Sequence, residues 1–210
     1  MSEPGNDRPE PELGTRIRRL REARGLSLRS MAGSMGVSAS ALSQIERGLT
    51  RPSVDRLPVI CEILGVSLGA LFADADLPAD RDGSVRVVRA ADRGPMTLDG
   101  GVSYDPLTTG AIPGFDLFRS RWRPGGTSSP DGEWLSHPGW EGGTVTLGRL
   151  RVELGDQVHV LEQGDSITYL GTVPHRLANA SATEDAEAVW SIVQEPPRDG
   201  AHPGPHHPLP

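Results

Sequence analysis

The 210 residues predict a chain of the α + β class in two parts, five short helices followed by an antiparallel β-barrel or jelly roll. Three observations carry this reading. Apolar residues recur at helical spacing from Leu13 to Phe72, and beyond Val85 they alternate with a period near two. Between these regions ADADLPADRDG, Ala73 to Gly83, shifts abruptly to acid, alanine and proline, the composition of a linker. The expected divisions are a disordered leader over 1–12, a helical domain over 13–72, the linker over 73–83, a β domain over 84–195 and a disordered tail over 196–210.

Each element has a local reason. Met1 to Glu12 is polar and broken by proline, which suits a leader that buries nothing. Leu13, Ile17 and Leu20 make one helical face, and Gly25 stops that helix. The stretch SLRSMAGSMGVSASALSQIERG, Ser27 to Gly48, then reads as two helices about one tight turn. Leu28, Met31, Ala32 and Met35 form the first apolar stripe, Gly36 supplies a left-handed residue, and Ser38 caps the second helix. Leu42 and Ile45 face inward, which leaves Ala39, Ser40, Ser43, Gln44 and Arg47 on the outer face. Such a unit is a helix-turn-helix, and that outer face is the one laid into a DNA major groove. Ser53 is the expected cap of a fourth helix carrying Leu57, Ile60 and Leu64, where Pro58 predicts a late start or a kink. Gly65 ends it, and Ser67 opens a last short helix through Leu71 and Phe72.

Strands are expected at Val85 to Val88, Val102 to Tyr104, Phe115 to Trp122, Gln157 to Leu161, Ser166 to Leu170 and Ala188 to Val193. Thr144 to Leu154 divides into two more near Gly148. The closing EPPRDGAHPGPHHPLP is too rich in proline to pack a core, and its His202, His206 and His207 suggest at most adventitious metal binding.

The net charge of −7 argues against a DNA binder until it is divided along the chain. From Leu13 to Pro58 nine arginines face three acids, a charge of +6, so the remainder carries −13. A basic unit joined to an acidic one directs a polyanion to one end of the molecule. No apolar run approaches the ~20 residues of a membrane span, and the leader is too polar for a signal peptide, so the chain is expected in the cytoplasm with no membrane partner. The single cysteine, Cys61, lies in VICEIL and is expected in the core.

From Leu13 to Phe72 the sequence resembles the DNA-binding domain of the XRE (Cro/C1-type repressor) family, a lambda-repressor-like five-helix fold. The residues that carry this are LSLRSMAGSMGVSASALSQIERGLTRPSVDRL, with Ala32 at a close helix contact, Gly36 in the turn and SQIERG closing the recognition helix. The resemblance implies base reading by Ala39, Ser40 and Gln44, and phosphate or backbone contacts by Ser38, Arg47 and Arg51. Gln44 is the best single candidate, because a carboxamide pairs bidentately with adenine. Ser43 shares the same face.

Two later stretches, LSHPGWEGGTVTLGRLRVELGD (Leu135 to Asp156) and LEQGDSITYLGTVPHRLANAS (Leu161 to Ser181), resemble the cupin family. The family's metal set is His-x-His, a Glu four residues on, and a later His. Carried over, it gives His137, Glu141 and His175, with Leu135 where the first histidine would stand. Two imidazoles and one carboxylate suit a divalent metal, Fe, Zn, Ni or Mn, with positions left open. Glu133 could join them by alternation. The same barrel without metal would be an apolar cavity lined by Trp122, Trp134, Trp140, Tyr169 and Trp190, suited to a small organic effector.

The resemblances together imply a transcriptional regulator: a homodimer on a double-stranded DNA operator, with a cupin that senses a small-molecule effector. The alternative they leave open is a non-haem Fe(II)-dependent oxidase resembling the helix-turn-helix–cupin phosphonate epoxidases. Against it stand the retained DNA-reading pattern and the absence of any lysine to clamp a substrate from the helical domain.

Overall fold

A computed structural model describes residues 13–72, 87, 89–108, 112 and 114–193. The expected leader, linker and tail lie outside the described residues, as does the Val85 to Val88 run apart from Val87, which belongs to no regular element.

Among the described residues five α-helices form in the predicted order: α1 (Leu13–Ala23), α2 (Leu28–Ser34), α3 (Ala39–Glu46), α4 (Arg56–Leu64) and α5 (Leu68–Phe72). The starts of α2, α3 and α5 are fixed by serine hydroxyls that accept from free backbone N–H groups. Ser27 accepts from Ser30, Ser38 from Ala41 and Ser67 from Ala70, each at 3.1 Å. Gly36 turns the chain between α2 and α3 at φ +67°, a backbone region that costs glycine little. Gly14 has a different purpose, since a Cβ there would lie 1.9 Å from the Ile45 carbonyl oxygen; only glycine lets α1 press on the end of α3.

The fourth helix differs from expectation at its start. Asp55, not Ser53, occupies the cap position, and the Ser53 hydroxyl donates to the Asp55 carboxylate. Pro58 becomes the third helical residue, where its missing N–H has no intrahelical partner to lose, so the helix begins late and unbroken. Ile17, Met31, Leu42, Leu57, Ile60 and Leu64 close the core of this domain. Cys61 packs among them, and burial, with the Asp116 charge adding to it, pushes its thiol up to about 12. Such a thiol fills space and does not react.

Among the described residues the second domain contains nine strands: β1 (Met96–Thr97), β2 (Val102–Pro106), β3 (Phe115–Trp122), β4 (Trp140–Leu147), β5 (Leu150–Leu154), β6 (Gln157–Leu161), β7 (Ser166–Leu170), β8 (His175–Asn179) and β9 (Ala186–Val193). They form two antiparallel sheets in the orders β1-β2-β3-β9-β4-β7 and β6-β5-β8. Side chains from both, including Trp122 and Trp190 from the first and Leu150 and Val152 from the second, meet in one core. Along β3 the alternation is strict: Asp116, Phe118, Ser120 and Trp122 are buried. β1 and β8 were not anticipated. HRLAN offers one large apolar side chain, and it becomes a strand because β5 pairs with it from Leu154↔His175 to Leu150↔Asn179. Asn179 then ties the sheet ends together, with its Nδ2 within 3.1 Å of the carbonyls of Trp122, Arg123 and Glu184.

The helical domain rests on the β domain through apolar side chains that join its core and through several polar contacts. The Asp116 carboxylate accepts from the Gly69 N–H at 2.5 Å, and Arg56 pairs with Asp131 at 2.9 Å. Backbone bonds join Asp55 to Ser128 and Asp99 to Pro52. Phe72 meets Tyr104 edge to face.

Candidate functional site

Helix α3 presents the face that its sequence requires. Leu42 and Glu46 are buried, while Ser38, Ser40, Gln44, Arg47 and Arg51 are exposed and Ala39 and Ser43 half-buried. Small residues at the helix start allow close approach to a groove, and the exposed carboxamide and guanidinium groups lie on the same side. Arg18 and Arg19 of α1 join Arg47 around an open groove beside α3, together with Glu22, which pairs with Arg18, and Glu46.

One structural pair behind this face escaped the sequence reading. Arg21 of α1 and Glu46 of α3 form a bidentate ion pair at 2.6 and 2.9 Å, with 10% and 5% of their side chains exposed. The remaining Arg21 nitrogen, Nη1, donates to the Leu26 carbonyl at 2.8 Å. The pair therefore binds the recognition helix to α1 where water cannot compete. A glutamate ending the apolar stripe of α3 was its only sequence signal, since the partner lies 25 residues away.

The second site gathers His137, Glu141 and His175, whose ligand atoms lie within 4.8 Å of one another. Glu141 and His175 point inward from β4 and β8, and His137 stands on the loop before β4. Each imidazole donates its Nδ1–H to a backbone carbonyl, His137 to Pro138 at 3.0 Å and His175 to Val173 at 2.8 Å. That orientation aims both Nε2 atoms at Glu141 Oε1, at 2.5 Å from His137 and 3.6 Å from His175. The other oxygen, Oε2, accepts from the Tyr169 hydroxyl at 2.7 Å and the Trp190 indole at 3.0 Å. Glu141 thus has one oxygen held by Tyr169 and Trp190 and the other facing two imidazole nitrogens, bonded to that of His137.

Burial acts to raise the Glu141 carboxyl, but the hydrogen bond from His137 and the nearness of His175 outweigh it and hold the group well below the usual carboxylate range. For His137 burial acts downward, and the bond to Glu141 raises the ring above its ordinary value. Fully buried His175 Nε2 has no hydrogen-bond partner. An orphaned imidazole nitrogen aimed at an ionised carboxylate, with the opposite ring nitrogen already donating, is a donor set that fits a divalent cation. Glu133 does not join it, being exposed. Leu135, at the missing fourth position, is buried and lines a cavity beside Glu141. Trp122 and Trp190 line that cavity too, whereas Trp134 and Trp140 are exposed; Tyr104 was not foreseen there.

Comparison with known proteins agrees with both halves. A helix-turn-helix domain model matches residues 12–75, and a cupin domain model matches residues 118–192. The transcriptional regulator ClgR of Mycobacterium tuberculosis is 35% identical over 96 residues, covering 46% of this chain and 81% of that protein. The chain belongs to the helix-turn-helix transcriptional regulators, with a C-terminal cupin domain. The regulator is also similar along most of its length to the HTH-type transcriptional regulator PuuR of Escherichia coli, at 29% identity over 80% of this chain and 88% of that one. In fold it resembles an HTH_3 family transcriptional regulator from Vibrio cholerae, with TM-score 0.62, 24% identity and coverage of 89% of this chain and 97% of the other. Among the described residues no helix is long and apolar enough to cross a membrane.

Proposed function

We propose that the regulator binds a pseudo-palindromic operator as a homodimer, that Ala39, Ser40 and Gln44 read base edges, and that Ser38, Arg47 and Arg51 contact the phosphate backbone. Ser43 shares the same face of α3. The observation that carries this reading is the free outer face of α3, backed by buried Leu42 and Glu46. Two recognition helices would enter successive major grooves about 34 Å apart. The cupin domain senses a small-molecule effector, and His137, Glu141 and His175 hold a divalent metal, Fe, Zn, Ni or Mn, which supplies a Lewis-acidic anchor for an effector oxygen or nitrogen.

Fluorescence anisotropy with the regulator's own promoter DNA, in stepped salt, tests the first part. Gln44→Ala is expected to relax base preference, lowering promoter affinity about tenfold with random DNA unaffected, the scale of one bidentate base contact. Arg47→Ala should instead weaken both DNAs together and reduce the salt slope by about one. Equal affinity of the unaltered protein for promoter and random DNA would remove operator reading from α3.

A further inference from the structure

The cavity beside Glu141 is about 30 Å³, room for one or two water molecules, against the roughly 300 Å³ or more of a small-molecule site. Its walls come from both domains: Trp122, Leu177 and Trp190 on one side, and Val54, Leu57, Pro58 and Leu68 from the end of the helical domain on the other. A metabolite cannot enter unless a wall moves. The β-domain wall is tied by continuous ladders, β3 to β9 over eight residue pairs and β5 to β8 over five. The helical wall has no strand ladder to the β domain: it is held by the polar contacts around Asp116, Arg56, Asp55 and Asp99, by the Phe72–Tyr104 edge and by apolar side chains in a cluster continuous with the β-domain core. Asp116 itself is 2% exposed, and its Oδ2 has no hydrogen-bond partner, which weakens the docked arrangement. The helical wall is therefore the one that yields.

We propose that the DNA-binding domain is the lid of its own effector pocket: α4 and α5 must leave the β domain before a compact, mainly apolar molecule with one polar head can occupy the cavity between the domains beside Glu141. Effector binding and domain docking exclude one another. The proposal rests on the effector-sensing reading above and supplies its coupling, because an effector that binds only the undocked arrangement shifts the population toward it. Release frees the recognition helices from a fixed orientation on the β domain.

The test uses the full chain carrying Arg56→Cys and Asp131→Cys, surface positions joined by an ion pair across the boundary. A cleavable bismaleimide holds the domains together, and buried Cys61 stays unmodified. The probe is N-phenyl-1-naphthylamine, an uncharged fluorophore far larger than the closed cavity, followed by energy transfer from tryptophan. Saturable binding is expected in the unlinked protein, at least tenfold weaker binding after cross-linking, and recovery on cleavage. Equal binding before and after cross-linking overturns the lid, and so does no binding to the unlinked chain, since a yielding wall must admit such a molecule. Promoter selectivity is measured on the same samples. A lid that opens on a protein without selectivity fails the operator reading alone, and selectivity with probe uptake indifferent to the link fails the lid alone.

Discussion

Replacing Glu46 by Ala is expected to cost about 3–5 kcal/mol, the loss typical when one member of a buried ion pair is removed and its partner stays buried. Arg21 would remain with 10% of its side chain exposed and only the Leu26 carbonyl and the exposed Glu22 near it. For a domain of this size that is a large fraction of total stability. Urea denaturation should show the helical transition moving to much lower denaturant, and promoter affinity should fall with it because α3 loses its tie to α1. The paired replacement Arg21→Met with Glu46→Leu is expected to recover most of the stability, since an apolar pair of similar volume leaves no charge without a partner. A loss below about 1 kcal/mol in Glu46→Ala would show that water reaches Arg21 and that the pair is not what positions the recognition helix.

Glu141→Ala should have the largest effect on the second domain. Zinc or cobalt affinity, followed by calorimetric titration, is expected to fall by more than the roughly 10–100-fold typical of losing an outer-shell partner, because the only anionic ligand is gone. The same change strips the Tyr169 hydroxyl and the Trp190 indole of their acceptor, at about 1–3 kcal/mol for each buried donor left unpaired. Glu141→Gln separates the two effects. Its amide oxygen can still accept from Tyr169 and Trp190, so it should keep most of the stability while losing most of the metal affinity. If Glu141→Ala bound zinc as tightly as the unaltered protein, His137, Glu141 and His175 would not be a metal site.

Much of the helical domain was legible because its signals are local. Ser38 and Ser67 cap the helices they precede, Gly36 turns the chain, and Leu42 alternates with Gln44 on opposite faces of α3, all within a few residues. Ser53 misled because both it and Asp55 are good caps, and only the folded turn, with the Ser53 hydroxyl donating to Asp55, selects one. In the β domain, β3, β6 and β7 begin and end where alternation and glycine place them. β8 was missed because its pairing with β5, and not its own composition, makes it extended. The candidate ligands are legible through spacing and resemblance, whereas Glu133, which alternation admits, is exposed and lies outside the cluster of His137, Glu141 and His175.

By itself the sequence determined the two-domain order, the outward face of α3 and the residue types of the triad, since periodicity, caps and charge act over one or two turns of chain. Only the tertiary structure decided that Arg21 meets Glu46, that one Glu141 oxygen is occupied by Tyr169 and Trp190 while the other faces two imidazoles, and that α4 and α5 close the cavity. The Arg21, Tyr169 and Trp190 contacts join residues that are 25 or more positions apart. Their energy comes from desolvation and shape, which exist only once the elements are packed together.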